Sequence, residues 1–195
     1  IRSTGARFMA NTEHTLPGQA QRQLFTRNLM RWHRHHNDRS LPWKEEKDPY
    51  RIWLSEVILQ QTRAQQAIPY YLKFLEAFPN IGALAAAEDQ VVFRLWQGLG
   101  YYNRCRNMLA TARYIMEAYN GSFPGSYDDL LQLKGVGPYT AAAISSFAFG
   151  LPHAVVDGNV YRVLARYFGI ETPSDSTEGK RQFATLADAL LDKRS

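Results

Sequence analysis

Apolar and polar positions recur at the helical period along most of the chain, and strand-like alternation is nearly absent. Leu24, Phe25, Leu29 and Trp32 share one stripe and predict a first helix over 21–37. Residues 38–50 predict a loop, with Pro42 and Pro49 as breakers. A strongly apolar helix follows over about 51–66, then others over about 69–77, 88–97 and 103–119. Leu130, Leu131 and Leu133 mark a short helix that runs into Gly135-Val136-Gly137, and Pro138 suits the first position of the next helix. Val160, Val163, Leu164 and Tyr167 form a further stripe, and Phe183, Leu186 and Leu190 a last, short one. The predicted fold class is all-α, with two helical lobes and a groove between them.

Length and charge narrow the function. With 195 residues the chain has ample length for a core, and its formal net charge of +5 favours a polyanionic partner. The single cysteine, Cys105, excludes an internal disulfide and any metal site built from several cysteines. No run of about 18 apolar residues suggests a membrane span. His33, His35 and His36 lack a cysteine or carboxylate at ligand spacing and read as a basic, solvated helix end. Residues 1–20 read as a leader or flexible tail; the first ten contain an internal Met9, no hydrophobic signal core, and look vector-derived.

Three segments carry candidate chemistry. Gly135 and Gly137 tolerate positive φ, so the chain can reverse sharply there and leave unpaired N–H groups for a phosphate at the start of the next helix. A plain buried corner between two helices is the alternative. Glu56 lies among Ile52, Trp53, Leu54, Val57, Ile58 and Leu59. Loss of hydration there would raise its pKa and make it a proton donor near neutrality; otherwise it is a surface glutamate, solvated or paired. Asp157 precedes an apolar stripe and serves either as a catalytic carboxylate, as a helix N-cap, or as both.

The hairpin, Leu133-Lys134-Gly135-Val136-Gly137-Pro138-Tyr139-Thr140-Ala141, resembles the helix-hairpin-helix of the base-excision DNA glycosylase superfamily, with Lys134 where proline is usual. Leu41-Pro42-Trp43, Asp48-Pro49-Tyr50-Arg51-Ile52-Trp53, Ser55-Glu56-Val57-Ile58-Leu59-Gln60-Gln61-Thr62, Trp96 to Arg104 and Val156-Asp157-Gly158-Asn159-Val160 are similar to the MutY-type adenine DNA glycosylases. The similarity covers about residues 21–170. It implies that the groove binds DNA, that residues 46–152 form a six-helix, barrel-like domain holding the hairpin at about 128–150, and that 21–45 plus 153–195 form the second lobe. It implies a monofunctional enzyme of base excision repair that releases adenine opposite 8-oxoguanine or guanine. A sister enzyme acting on mismatched thymine and a non-catalytic DNA-binding module are the other readings.

The resemblance also assigns roles. Glu56 would protonate the leaving adenine and Asp157 would stabilise or attack the sugar cation, with Asn159 orienting the centre. Tyr139 stands where lyase-type relatives hold a Schiff-base lysine, so efficient strand cleavage is not expected. Gln61 and Tyr101 would be wedges, with Thr62 and Leu99 beside the orphaned base, and Lys134, Gly135, Val136, Gly137 and Tyr139 on the DNA backbone. Trp43 and Lys44 match the adenine pocket, although Trp43 is equally a core anchor. Tyr101 and Tyr102 could be packing aromatics, but a Gly100-Tyr101-Tyr102 turn flanked by Arg104 and Arg106 suits DNA contact better.

The family's full-length members carry a [4Fe-4S] cluster and a module that checks for 8-oxoguanine. Their cysteine ligands are absent here, so a fragment is expected rather than a cluster-free variant, with weak discrimination of 8-oxoguanine from guanine. A monovalent or calcium ion at the hairpin is a further implication; none is required for the chemistry. The expected partner is double-stranded DNA, the expected state a monomer without membrane association, and the expected location intracellular: nucleoid or cytoplasm in a bacterium, nucleus in a eukaryote.

Overall fold

The computed structural model describes residues 16–191, so residues 1–15 of the expected leader lie outside the described residues. Ten helices and no strand are present among the described residues. Helix α1 (Gln19–His36) takes in two residues assigned to the tail, and α2 (Pro49–Leu59) takes in the end of the expected loop. Asp48 explains the second shift: its carboxylate accepts from Tyr50 N at 2.8 Å, and Pro49 occupies the first helical position.

The single helix expected over 51–66 is two. Helix α2 stops at Leu59, Gln61 adopts φ 55°, and α3 (Ala64–Ala77) starts after Arg63. Glutamine is not a residue whose presence announces a left-handed turn, so the periodicity ran on across the break. The short α4 (Ile81–Ala86) was not foreseen; its signal is Asn80, whose side chain accepts from Ala83 N at 2.9 Å. Helices α5 (Asp89–Trp96) and α6 (Asn103–Tyr119) fall where the apolar spacing puts them. The hairpin comprises α7 (Tyr127–Leu131) and α8 (Pro138–Phe149), followed by α9 (Gly158–Phe168) and α10 (Thr177–Leu190).

Two apolar clusters organise these helices. The larger is drawn from residues 50–144 and centres on Trp53, Tyr71, Phe74, Trp96 and Met108. Helix α2 lies within it, packed against α3, α6 and α8. The fully buried Ala141 and Ala143 keep the facing surface of α8 low, so α2 and α8 approach closely. The smaller cluster joins Phe25 of α1, Leu164 of α9, and Phe183, Leu186 and Ala187 of α10. Residues 16–191 thus have a large apolar centre and a small one, and the chain passes between them along residues 150–157.

Candidate active site and nucleic-acid face

Glu56 sits in the last turn of α2, between the buried pairs Leu54-Ser55 and Val57-Ile58. Loss of hydration pushes its carboxyl up to about 7 from an ordinary 4.5. The Tyr139 hydroxyl, which lies against it, pulls the other way by hydrogen bonding, and the nearby Asp157 charge adds to the rise. Tyr139 is the second residue of α8, so the hairpin turn itself delivers this hydroxyl. Its ring is 39% exposed, yet burial of the hydroxyl beside Glu56 and Asp157 raises its pKa strongly.

Asp157 is the N-cap of α9. One carboxylate oxygen, Oδ1, accepts from Asn159 N at 2.9 Å and Val160 N at 2.8 Å. The other, Oδ2, accepts from Asn159 Nδ2 at 2.8 Å. The cap and the candidate catalytic carboxylate are therefore one group, oriented by the helix N-terminus. Arg162, one turn along α9, donates to Asn159 Oδ1 and fixes which way that amide faces. The sequence reading missed Arg162; its signal was spacing, three residues beyond Asn159 on one helix face.

The hairpin differs in one respect from the glycine reading. Only Gly135 is left-handed, with φ 80°, and a Cβ there would meet Asn107 Cβ at 3.0 Å. Gly137 is extended and is the N-cap of α8. No side chain caps α8, so its first-turn N–H groups lack a capping partner, and a Cβ added at Gly137 would meet open space. Lys134 is exposed while its carbonyl accepts from the buried Thr111 hydroxyl of α6 at 2.8 Å, which pins the turn. Val136, 7% exposed, belongs to the larger core, leaving its backbone rather than its side chain for contact.

The remaining candidates divide. Gln61 and Tyr101 are exposed, Tyr101 at 63%, and line a basin of about 580 Å³ with Gln60, Tyr102, Asn103, Arg104 and Arg106. Both are left-handed, Tyr101 at φ 46°, a conformation that costs a non-glycine residue about 1–2 kcal/mol. Leu99 is 5% exposed and packs inward, whereas Thr62 is only half-buried beside Arg104. Arg104 does not point out as its place beside Tyr101-Tyr102 suggested; it turns inward onto backbone carbonyls of α2. Trp43 packs edge-on against Tyr71 at 5.4 Å, as an anchor would, and Lys44 donates to Asn37 O at 3.1 Å.

A cluster of the [4Fe-4S] type requires four thiolates. Cys105 is the chain's single cysteine and is sealed in the larger core, and the described residues hold no group of three His, Cys, Asp or Glu side chains able to grip a metal. These residues do not fit that cofactor. The three histidines near the end of α1 are exposed, and Asn37 Nδ2 and His33 Nδ1 are 3.0 Å apart. Among the described residues no helix is long and apolar enough to cross a membrane.

A glycine-turned helical pair, followed directly by an aspartate that caps the next helix and whose charge reaches a glutamic acid of pKa about 7, defines a helix-hairpin-helix protein with a two-carboxyl site. The chain belongs to the HhH-GPD superfamily of base excision DNA repair proteins, whose profile matches residues 54–187. It is 44% identical over 147 residues to the adenine DNA glycosylase of Buchnera aphidicola subsp. Baizongia pistaciae, covering 75% of this chain and 42% of that protein. It is 39% identical over 188 residues to the adenine DNA glycosylase of Homo sapiens, covering 92% of this chain and 34% of that one. The chain therefore spans less than half the length of either relative. A solved thermostable thymine-DNA glycosylase superposes with a TM-score of 0.81 at 28% identity, over 90% of this chain and 80% of that one.

Proposed function

We propose that the chain is the base-excising part of a monofunctional adenine DNA glycosylase, acting on adenine opposite 8-oxoguanine or guanine. The observation that carries this reading is the carboxyl pair: Glu56 brought to about 7 by burial, with Asp157 near enough for its charge to add to that rise. Glycosidic cleavage needs one carboxyl to protonate the leaving group and one to face the developing sugar cation. Glu56 gives its proton to the purine ring nitrogen while the C1′–N9 bond breaks; Asp157 balances the cation until water adds at C1′. Tyr139, hydroxyl against Glu56, orients that carboxyl while holding its pKa from rising further. It has no amine for a Schiff base, so the strand stays intact.

The approach of the substrate follows from the exposed residues. A stacked adenine cannot reach Glu56, so it is extruded. Gln61 and Tyr101 fill the space it leaves, with Thr62 and the Leu99 backbone beside the orphaned base. The α8 N-terminus, Lys134 and the Gly135-Val136-Gly137 backbone hold a phosphate. The two apolar clusters act as two lobes, 46–152 and 21–45 plus 153–191, with DNA across the seam where Glu56 and Asp157 face each other. Trp43 and Lys44 border the base pocket. Chemistry needs no metal, and the active form is a monomer.

Single-turnover excision from duplexes with adenine opposite 8-oxoguanine tests this, comparing the unaltered chain with Glu56→Gln and Asp157→Asn. Release that both substitutions abolish is expected; release that survives either would refute the assignment. The similarity to a thymine-DNA glycosylase structure favours one other reading, excision of thymine opposite guanine. Faster reaction of that mismatch would select it.

A further inference from the structure

Arg104, in the first turn of α6, holds together segments that the sequence keeps far apart. Its Nη1 donates to Val57 O at 3.0 Å and Ile58 O at 2.9 Å, carbonyls at the C-terminal end of α2. Its Nη2 donates to Leu99 O at 3.3 Å, and both nitrogens make long contacts with Thr62 Oγ1, at 3.5 and 3.4 Å. The guanidinium carbon lies 5.1 Å from the centre of the Trp96 ring and 5.6 Å from that of Tyr101. Trp96 in turn donates from Nε1 to Gly100 O at 2.9 Å. One side chain thus touches the segment around left-handed Gln61 and the loop that ends in left-handed Tyr101. It also grips α2 one residue past Glu56.

We infer that Arg104 is a positioning residue: it presets Gln61 and Tyr101 at a fixed distance from each other and from the Glu56 helix, so the pair is opened and the extruded base is delivered to the acid in one docking event. The inference rests on the base-excising reading above. Three features of the arrangement support it. Backbone carbonyls at a helix C-terminus attract a cation, which suits Arg104 to this end of α2. A planar fork spans acceptors several ångströms apart in a fixed geometry, which the single nitrogen of an ammonium does not match. The guanidinium over the exposed Tyr101 ring holds that ring in place before any DNA arrives.

The test compares the unaltered chain with R104K, R104M, Q61A/Y101A and the triple variant R104M/Q61A/Y101A. Each is given adenine opposite 8-oxoguanine and, separately, adenine opposite an abasic spacer, where no pair has to be opened. R104M is expected to slow single-turnover excision from the paired duplex by about ten- to a hundredfold, the size of a positioning defect. The spacer duplex, where only delivery to the acid remains, should be slowed much less. R104K should not restore the paired rate, and R104M should add little on top of Q61A/Y101A. Equal loss on both duplexes, full rescue by R104K, or additive losses in the triple variant would each overturn the inference.

A second readout separates this from failure of the activity itself. With 2-aminopurine in place of the adenine, emission on binding reports extrusion without any cleavage. R104M is expected to blunt that rise, and an undiminished rise overturns the role of Arg104 even if the unaltered chain releases no base. Absence of release alone overturns only the excision reading; absence of both release and extrusion overturns both.

Discussion

Replacing Glu56 by glutamine should make the protein more stable above neutrality while it disables the site. The folded state holds the Glu56 carboxyl at about 7, against 4.5 for an exposed glutamate. That difference is roughly 3 kcal/mol of disfavoured ionisation. The sign follows from proton counting: between 4.5 and about 7 the folded chain keeps a proton that the unfolded chain has released, so raising the pH through this window favours unfolding. Above about 7 the loss is complete, and below 4.5 it is absent. Glutamine keeps the shape and the hydrogen-bonding capacity but carries no charge to desolvate. The stability difference between Glu56→Gln and the unaltered chain should therefore grow from near zero at low pH to at most roughly 3 kcal/mol at pH 8. Urea unfolding of both proteins at matched pH values reads it, because titrating groups that do not interact with Glu56 cancel in the comparison. A gap that is flat with pH would show that Glu56 is hydrated in the folded chain, and the case for a buried proton donor would fall with it.

Further outcomes follow from the same geometry. Excision by the unaltered chain should decline as pH rises through about 7, where Glu56 loses its proton; in Tyr139→Phe the loss of the hydroxyl that lowers Glu56 should move that decline to higher pH. A pH–rate profile unmoved by the substitution would separate the two residues. Asp157→Asn should retain the α9 cap and keep thermal stability within about 0.5 kcal/mol, while Asp157→Ala should lose about 1 kcal/mol; both should be inactive, and activity in either would count against a charge requirement. Gly98→Ala should destabilise the chain by about 1–3 kcal/mol in thermal melts, since Gly98 has φ 98° and an added Cβ would lie 2.4 Å from Tyr70 Oη. Borohydride treatment with abasic DNA should trap almost no covalent adduct, because Tyr139 carries no amine; abundant adduct would show a lyase.

Helices such as α6 were legible because their apolar residues repeat for several turns, and the Pro49 and Asn80 starts follow simple capping rules, although only the longer helices stood out without them. The break at Gln60–Arg63 was not legible: nothing in a glutamine predicts φ 55°, which is imposed by what surrounds it. The candidate site divides in the same way. Glu56 in an apolar run and Asp157 before one could each be singled out from local pattern. Their pairing across a hundred residues came only through resemblance, since no local rule relates them. The inward turn of Arg104 was not legible, since a basic residue beside two tyrosines looks like part of a DNA contact. Its partners are main-chain carbonyls, which leave no trace in side-chain identity.

The hydrogen bond from the Thr111 hydroxyl to Lys134 O has a mechanical consequence. It seats the glycine turn on α6 two turns beyond the point where that helix leaves the Tyr101 loop. On the reading proposed above, a strand held by its phosphate at one station and pried at the other would be measured against one stiff rod. The spacing of the two stations is set when the chain folds.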